Sequence, residues 1–279
     1  MALSIHTNYS SLVTQTNLSK TNNALGTNQQ RLGTGLRINS AADDAAGLQI
    51  ATRLNAQSRG MGVAMRNTSD AVSMLQTAEG AFNEATDILQ RMKDLATQAA
   101  NGTNADKDLD AIQAEYTELV AELQNITDNT SYAGDALFAT GGKLAADVTF
   151  QIGSSSAETY TLAAATTDIA ATVTALTTDI ATLDLTTGAN AAIDTLNTSL
   201  DQVGKTRAAF GASINRLNHT ANNLANMKDN TEMAKGRIMD ADFASESANM
   251  TKNSMLMQSG ISMLKQAGQM PSMVMGLLG

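Results

Sequence analysis

The sequence predicts a mainly α-helical protein: an elongated bundle of long helices with a small β-hairpin region, and N- and C-terminal helices that form a coiled coil. Apolar residues recur at helical spacing along most of the chain. The 279 residues include one proline, Pro271, whereas a globular protein of this length typically has roughly a dozen. Because proline breaks helix interiors, its scarcity permits very long helices. Aromatic residues make up only 3% of the chain, so small aliphatic residues and methionine must fill the helix–helix seams.

The first long helix is predicted over residues 41–100. A capping box from Ser40 to Asp43 marks its start, and the run from Asn101 to Asn104 marks its end and a turn. Mostly large residues at one heptad position face mostly alanine at another, which lets helices approach closely. The two positions hold Leu54, Met61, Thr68, Leu75, Phe82, Leu89 and Ala96, and Ala64, Ala71, Ala78, Ala85, Met92 and Ala99.

Two further helices are predicted from apolar stripes. One stripe runs in three-and-four spacing from Leu109 to Ile126, and the other runs from Ile193 to Leu224 with one lapse at Arg207. Each stripe needs a partner surface. Three such helices would bury their stripes against each other as a bundle.

The middle of the chain has a different pattern. Turn signals at residues 133–135 and 141–142 accompany two segments, 147–152 and 159–162, that alternate like strands. We therefore predict a small β-hairpin region. An apolar pattern at 166–185 fits a short extra helix, but threonine disfavours helix, so the sequence leaves this helix open.

These features divide the chain into five regions. We predict an N-terminal coiled-coil segment (1–40), N-terminal bundle helices (41–131), a β-hairpin region at the tip (132–187), a C-terminal bundle helix (188–236) and a C-terminal coiled-coil segment (237–279).

Both terminal segments carry apolar residues at heptad spacing. Isolated helices of this kind are marginal in water, so their stripes need other subunits. We predict that a subunit interface contains Leu18, Leu25, Leu32, Phe243, Met250, Leu256, Met257, Met263 and Leu264.

Composition and charge exclude several classes of function. The net charge of −9 argues against binding to nucleic acid or to an anionic membrane. The first residues do not form a secretory signal peptide, so an extracellular protein of this kind would leave by another route. The two histidines, His6 and His219, are far apart, and the chain contains no cysteine, nucleophile–base pair or phosphate loop. We predict no catalytic residue, no cofactor and no metal site.

Several long motifs resemble the terminal regions of bacterial flagellins. Residues 32–54 read Leu-Gly-Thr-Gly-Leu-Arg-Ile-Asn-Ser-Ala-Ala-Asp-Asp-Ala-Ala-Gly-Leu-Gln-Ile-Ala-Thr-Arg-Leu. The remaining motifs occur in the family's order at residues 89–102, 108–115, 211–217, 237–243 and 263–268. The resemblance covers residues 1–138 and 188–279.

The resemblance implies a structural subunit that polymerises with other copies of itself into the extracellular flagellar filament. The terminal helices would pair as a coiled coil in the inner tube of the filament, with the bundle in the next shell. The chain resembles a short, minimal flagellin without large outer domains. The family is exported unfolded by the flagellar type III system. Its expected partners are an export chaperone at the C-terminal helix, the filament cap and hook-associated junction proteins.

The resemblance also implies a recognition site for a vertebrate Toll-like receptor on the bundle helices. The matching positions are Arg91, Leu95, Gln98 and Glu115. Two rival interpretations remain. A hook–filament junction protein shares the terminal architecture, and a chemoreceptor-like helical hairpin would contain no β segment.

Overall fold

The computed structural model describes residues 7–139, 141–163 and 168–275, with side chains described as far as Gln269. Within these residues the chain forms six α-helices, two short β-hairpins, one 3₁₀ turn (Lys143–Ala145) and one π-helical turn (Ala175–Asp179), so the predicted mainly α-helical class is confirmed. The helices are α1 (Tyr9–Thr34), α2 (Ala45–Ala99), α3 (Asp106–Asn129), α4 (Ile169–Thr174), α5 (Leu185–Met239) and α6 (Phe243–Met275).

The chain divides into two compact units. The terminal unit consists of the described residues of 1–56 and 230–279, and the bundle unit consists of the described residues of 57–229. Both divisions lie inside helices, α2 and α5, rather than at the region boundaries predicted near residues 40 and 237. Apolar periodicity continues through both helices, so the sequence pattern contains no signal for these boundaries.

The core of the bundle unit lies where α2, α3 and α5 pack together. The predicted seam of α2 is buried from Met61 to Ala99, and the stripes of the other two helices contribute Tyr116, Leu123, Phe210 and Leu217. The ring of Phe82 lies 4.7 Å from that of Phe138 and 5.8 Å from that of Phe210, measured between centroids. These contacts join α2, α5 and the segment around Phe138 in one apolar core.

The start of α2 differs from the prediction. The helix begins at Ala45, because Asp44 accepts a hydrogen bond from the backbone N–H of Gly47 (2.7 Å) and caps the helix. Asp43 instead closes the preceding turn, accepting from the backbone N–H groups of Asn39 and Ser40. Ser40 and Asp43 therefore form a turn ahead of the helix, and the predicted capping box at Ser40 does not start it.

The β region confirms the predicted hairpin and adds a smaller one. Strands β3 (Val148–Gln151) and β4 (Thr159–Leu162) pair antiparallel with Val148 opposite Leu162. Strands β1 (Ser131–Tyr132) and β2 (Asp135–Ala136) pair through a two-residue turn. Ala133 and Gly134 both have positive φ (53° and 92°) there, as a type I′ turn requires.

The β3–β4 hairpin packs against α2 and α5. A β-carbon placed on Gly60 would lie only 2.9 Å from that of Ser154, so the hairpin loop closely approaches α2. The Tyr160 hydroxyl and Ser213 Oγ are 2.9 Å apart, and the Arg216 guanidinium lies 4.8 Å from the centre of the Tyr160 ring. A cation at this distance is attracted to the aromatic face.

The extra helix that the sequence left open is present as α4, continued by the π-helical turn. The Tyr116 hydroxyl of α3 donates to the carbonyl of Ile180 (3.0 Å), just beyond the turn. Burial raises the pKa of the Tyr116 hydroxyl, because the phenolate is poorly solvated there. The Thr172 and Thr206 hydroxyls, 2.7 Å apart, join α4 to α5.

Candidate functional site

The candidate functional site is the pair of terminal helices, α1 and α6, which pack antiparallel within the terminal unit. Asn8 Nδ2 at one end donates to the carbonyl of Ala267 (2.7 Å). The Leu18 side chain lies 3.2 Å from the position that a β-carbon would take on Gly260. The coiled-coil pairing expected from the heptads is therefore present within a single chain.

The structure divides the predicted interface residues into two groups. One group lies, buried or half-buried, at heptad positions of the pair: Leu18, Leu25, Leu32, Met250, Met257 and Leu264. We call this group the intrachain seam. The two ends of the same chain already cover part of each of these side chains in a single copy, and their place in a subunit interface stays a prediction.

The other group stays largely in solvent. Phe243 is 58% exposed, Leu256 49% and Met263 65%, and the neighbouring Met255 and Ile261 are also exposed. We call these five residues the exposed set. Leu256 and Met263 are seven residues apart and so lie on one face of α6, one position from the seam.

A polar cluster interrupts the apolar seam. Arg31 Nη1 of α1 donates to Glu246 Oε1 of α6 (3.1 Å), and Glu246 is only 8% exposed. Asn28 is 7% exposed. With its amide oriented to satisfy both neighbours, the amide nitrogen donates to Glu246 Oε2 (3.1 Å) and the amide oxygen accepts from Asn253 Nδ2 (3.1 Å). Sequence reasoning missed this cluster, although the residues occupy heptad-related positions facing a seam.

The connectors before α2 and before α6 also contact each other. Leu36 and Asp240 form an antiparallel bridge, in which the Arg37 N–H donates to the carbonyl of Met239 (2.6 Å) and the Ala241 N–H donates to that of Gly35 (2.9 Å). Arg37 Nη2 donates to the carbonyl of Ile238 (2.8 Å). These bonds satisfy carbonyl groups at the end of α5, where helices leave acceptors unpaired.

Asp242 forms the start of α6. Its carboxylate accepts from the Ser245 hydroxyl (3.0 Å) and from the Ala244 N–H (3.0 Å). These hydrogen bonds hold the pKa of Asp242 below its ordinary value. At the other side of the pair, α1 ends at Thr34, and Gly35 adopts a left-handed conformation with φ 72°, which glycine accommodates without strain.

The four positions matched to receptor recognition lie in the bundle unit. Arg91 Nε and Nη2 both donate to Glu115 Oε1 (3.0 and 2.6 Å), which links α2 to α3 at the surface. Gln98 is also exposed. Leu95, in contrast, is 1% exposed and belongs to the core. Its side chain is unavailable to a partner in this conformation, and the sequence pattern alone did not reveal that.

Other kinds of site have no support among the described residues. No group of acidic, histidine or cysteine side chains there is arranged to hold a metal ion. None of the described helices combines the length and hydrophobicity needed to cross a bilayer. The packing surfaces of the terminal helices are therefore the features of the described chain that invite a functional explanation.

Comparison with known proteins gives matches over both halves. Residues 5–142 match the bacterial flagellin N-terminal helical region, and residues 191–278 match the bacterial flagellin C-terminal helical region. The chain is 35% identical to Flagellin A of Vibrio anguillarum over an alignment of 381 residues that covers all of both proteins. It is 41% identical to a flagellin of Halalkalibacterium halodurans over 251 residues, covering 89% of this chain and 90% of that protein.

A crystal structure of Bacillus cereus flagellin is 37% identical, with a TM-score of 0.49, and the match covers 57% of this chain and 88% of that chain. The Vibrio alignment is longer than the present chain, 381 positions against 279 residues. The Vibrio relative therefore contains residues that have no counterpart here, as expected for a short member of the group.

Proposed function

This chain belongs to the bacterial flagellin family and is a structural, non-enzymatic subunit of the extracellular flagellar filament. On that basis we propose that the exposed set of α6 is a surface through which the chain binds neighbouring copies. The observation that carries this proposal is the exposure of Phe243, Leu256 and Met263 in a single copy, in which the residues of the intrachain seam are already buried or half-buried. Exposed apolar residues grouped on one helix mark interaction surfaces.

The terminal unit exposes a second group of apolar residues on α1, at Tyr9, Leu12 and Val13. A filament requires a heterologous contact, in which one surface of a copy meets a different surface of the next. Two distinct apolar surfaces on one unit satisfy that requirement. Covering the exposed half of one such side chain contributes about 1 kcal/mol, so several together hold a subunit in place.

Electron microscopy of the purified chain tests this assembly proposal. Leu256→Asp should abolish or strongly shorten filaments, because it places a charge in the contact. Gln258→Asp, an exposed position of the same helix, is the matched control and should assemble normally. Filaments of ordinary length from Leu256→Asp would contradict the proposal. A wild-type chain that never elongates alone would instead favour the junction-protein alternative.

We also propose that the chain is exported unfolded by the flagellar type III system and meets its accessory partners through α6. The same apolar residues that bind the next copy need covering before assembly, which is the role of an export chaperone at the C-terminal helix. The filament cap and hook-associated junction proteins would then contact an arriving or terminal subunit. Binding of a purified flagellar export chaperone should weaken in Leu256→Asp and not in Gln258→Asp; equal binding would contradict a shared surface.

Recognition by a vertebrate Toll-like receptor is proposed for the bundle surface around Arg91, Gln98 and Glu115. These residues are exposed, and Arg91 and Glu115 form an ion pair that holds both charges in fixed positions. Leu95 would act only by supporting α2 from beneath. A receptor reporter assay should respond less to Arg91→Ala than to wild type, whereas Arg66→Ala, an exposed arginine elsewhere on α2, should leave it unchanged. Equal responses to both variants would contradict recognition here.

A further inference from the structure

The polar cluster of the α1–α6 pair, Asn28, Arg31, Glu246 and Asn253, is not what apolar packing requires. Glu246 and Asn28 are both more than nine-tenths buried, and Arg31 Nε is buried without a hydrogen-bond partner among the described residues. Replacing such a buried charged group with apolar side chains is often neutral or stabilising. Stability alone therefore does not explain why charged residues lie in this seam.

The apolar part of the seam is ambiguous about alignment. Leu18 and Leu25 of α1 recur every seven residues, and so do Met250, Met257 and Leu264 of α6. If one helix slides by seven residues along the other, equivalent apolar residues face each other again. The polar cluster occurs once along each helix and does not repeat every seven residues, so it distinguishes the observed alignment from the shifted ones.

We propose that this polar cluster fixes the register of α1 against α6. If α6 slides seven residues in one direction, Glu246 meets Ala24 instead of Arg31 and is buried without a cation. If it slides in the other direction, which brings Ala267 to Leu18, Glu246 passes beyond the end of α1 at Thr34 and Arg31 stays in the seam opposite Asn253 without an anion. An unpaired buried charge is strongly unfavourable, and a single polar position is known to select register in coiled coils.

This proposal rests on the proposed function in one respect. The register fixes the position of the exposed set of α6 along the helix pair relative to Tyr9, Leu12 and Val13 of α1, and both surfaces are proposed to bind neighbouring copies.

The backbone bridge between Leu36 and Asp240 is the competing explanation. It lies at the same end of the pair and also holds the two helices together. The bonds of the bridge itself are between main-chain groups, which are the same at every residue, and the side-chain bond of Arg37 beside it also ends on a main-chain carbonyl, that of Ile238. The experiment must therefore separate the side-chain cluster from the bridge.

Cysteine cross-linking reports the register directly, because the natural chain contains no cysteine. Leu18→Cys with Gly260→Cys tests the observed alignment, since these residues are in contact. Leu18→Cys with Ala267→Cys tests the shifted alignment. In the observed alignment Ala267 is seven residues, about 10 Å, further along α6, beyond the roughly 7 Å between α-carbons that a disulfide spans.

Both pairs are introduced into the full chain and assembled with an excess of wild-type subunits, with and without leucine at all four cluster positions. With the natural cluster, only the disulfide between positions 18 and 260 should form. With the leucine cluster, the disulfide between positions 18 and 267 should appear as well. Thr21→Leu is the matched control, because Thr21 lies on the same face of α1 and its hydroxyl bonds only to its own helix at Asn17; it should retain the natural pattern.

A charge exchange keeps the test decisive. Arg31→Glu or Glu246→Arg alone should allow the shifted disulfide, and the two together should suppress it again. Leucine-cluster chains that form only the disulfide between positions 18 and 260, in filaments or in the soluble fraction, would overturn the register proposal while leaving assembly intact. Failure of the natural cluster to form either disulfide would contradict the α1–α6 pair itself and hence the proposed function.

Discussion

Tyr116→Phe removes one oxygen atom from the core of the bundle unit and leaves the ring in place. Tyr116 is 1% exposed, and its hydroxyl donates to the carbonyl of Ile180, which also accepts a long hydrogen bond (3.4 Å) from the N–H of Leu183. A net hydrogen bond contributes about 1 kcal/mol, and a carbonyl left unpaired would add to the loss. Since Ile180 keeps a weak donor, we expect the free energy of unfolding to fall by about 1 kcal/mol.

The same variant has a distinctive dependence on pH. Burial raises the pKa of the Tyr116 hydroxyl above its ordinary value of 10.0. The neutral hydroxyl therefore stabilises the folded chain fully below pH 10, and that contribution is lost as the pH rises above 10. Phenylalanine cannot ionise, so Tyr116→Phe should lose less stability than wild type between neutral and strongly alkaline pH.

Urea unfolding and thermal unfolding, both followed by circular dichroism, measure these two effects. A loss of about 1 kcal/mol should lower the melting temperature by roughly 2–4 °C for a unit of this size. Tyr9→Phe is the control, because Tyr9 is 68% exposed and its change should leave stability at neutral pH unaltered. Two results would refute the reasoning. One is a free energy of unfolding of Tyr116→Phe equal to that of wild type at neutral pH, and the other is an equal loss of that free energy in both proteins at alkaline pH.

Three other changes have defined outcomes in thermal or urea unfolding. Ser199→Ala removes a buried hydroxyl that lacks a partner in the described residues, so stability should stay equal or rise by about 1 kcal/mol; a clear loss would contradict this. Gly62→Ala, with open space around it, should stabilise α2 by about 1 kcal/mol, whereas Gly60→Ala should not, because its new methyl group meets Ser154; equal effects would contradict the close approach. Asp242→Asn should destabilise α6 at neutral pH. Because the pKa of Asp242 is lowered from 3.8, this difference should persist down to about pH 4 and narrow only below it; a difference that vanishes above about pH 5 would contradict it.

The bundle was readable from the sequence because its seam is covered by the same chain. Each predicted seam residue of α2 from Met61 to Ala99 is buried, since the large and small residues of its heptad positions all meet partners within the same chain. The two hairpin strands followed from alternation, and the flagellin family and non-enzymatic class, predicted from motifs, are confirmed by the comparisons.

The division of the terminal residues could not be read from the sequence. Leu264 and Met263 are equally apolar neighbours, yet the first lies in the intrachain seam and the second is 65% exposed. Periodicity shows that a stripe needs a partner, and only the register of α1 on α6 shows which partner. The burial of Leu95 and the capping role of Asp44 were likewise decided by neighbouring elements and not by local spacing.

A high-resolution helical reconstruction of filaments grown from the purified chain would show directly whether the terminal helices pair within a copy and bind between copies. We predict that Leu18 stays against Gly260 within each copy, while the side chains of Phe243, Leu256 and Met263 become buried against neighbouring copies. Filaments in which these three side chains remain as exposed as in the single copy, or in which α1 and α6 of one chain are not paired, would contradict it.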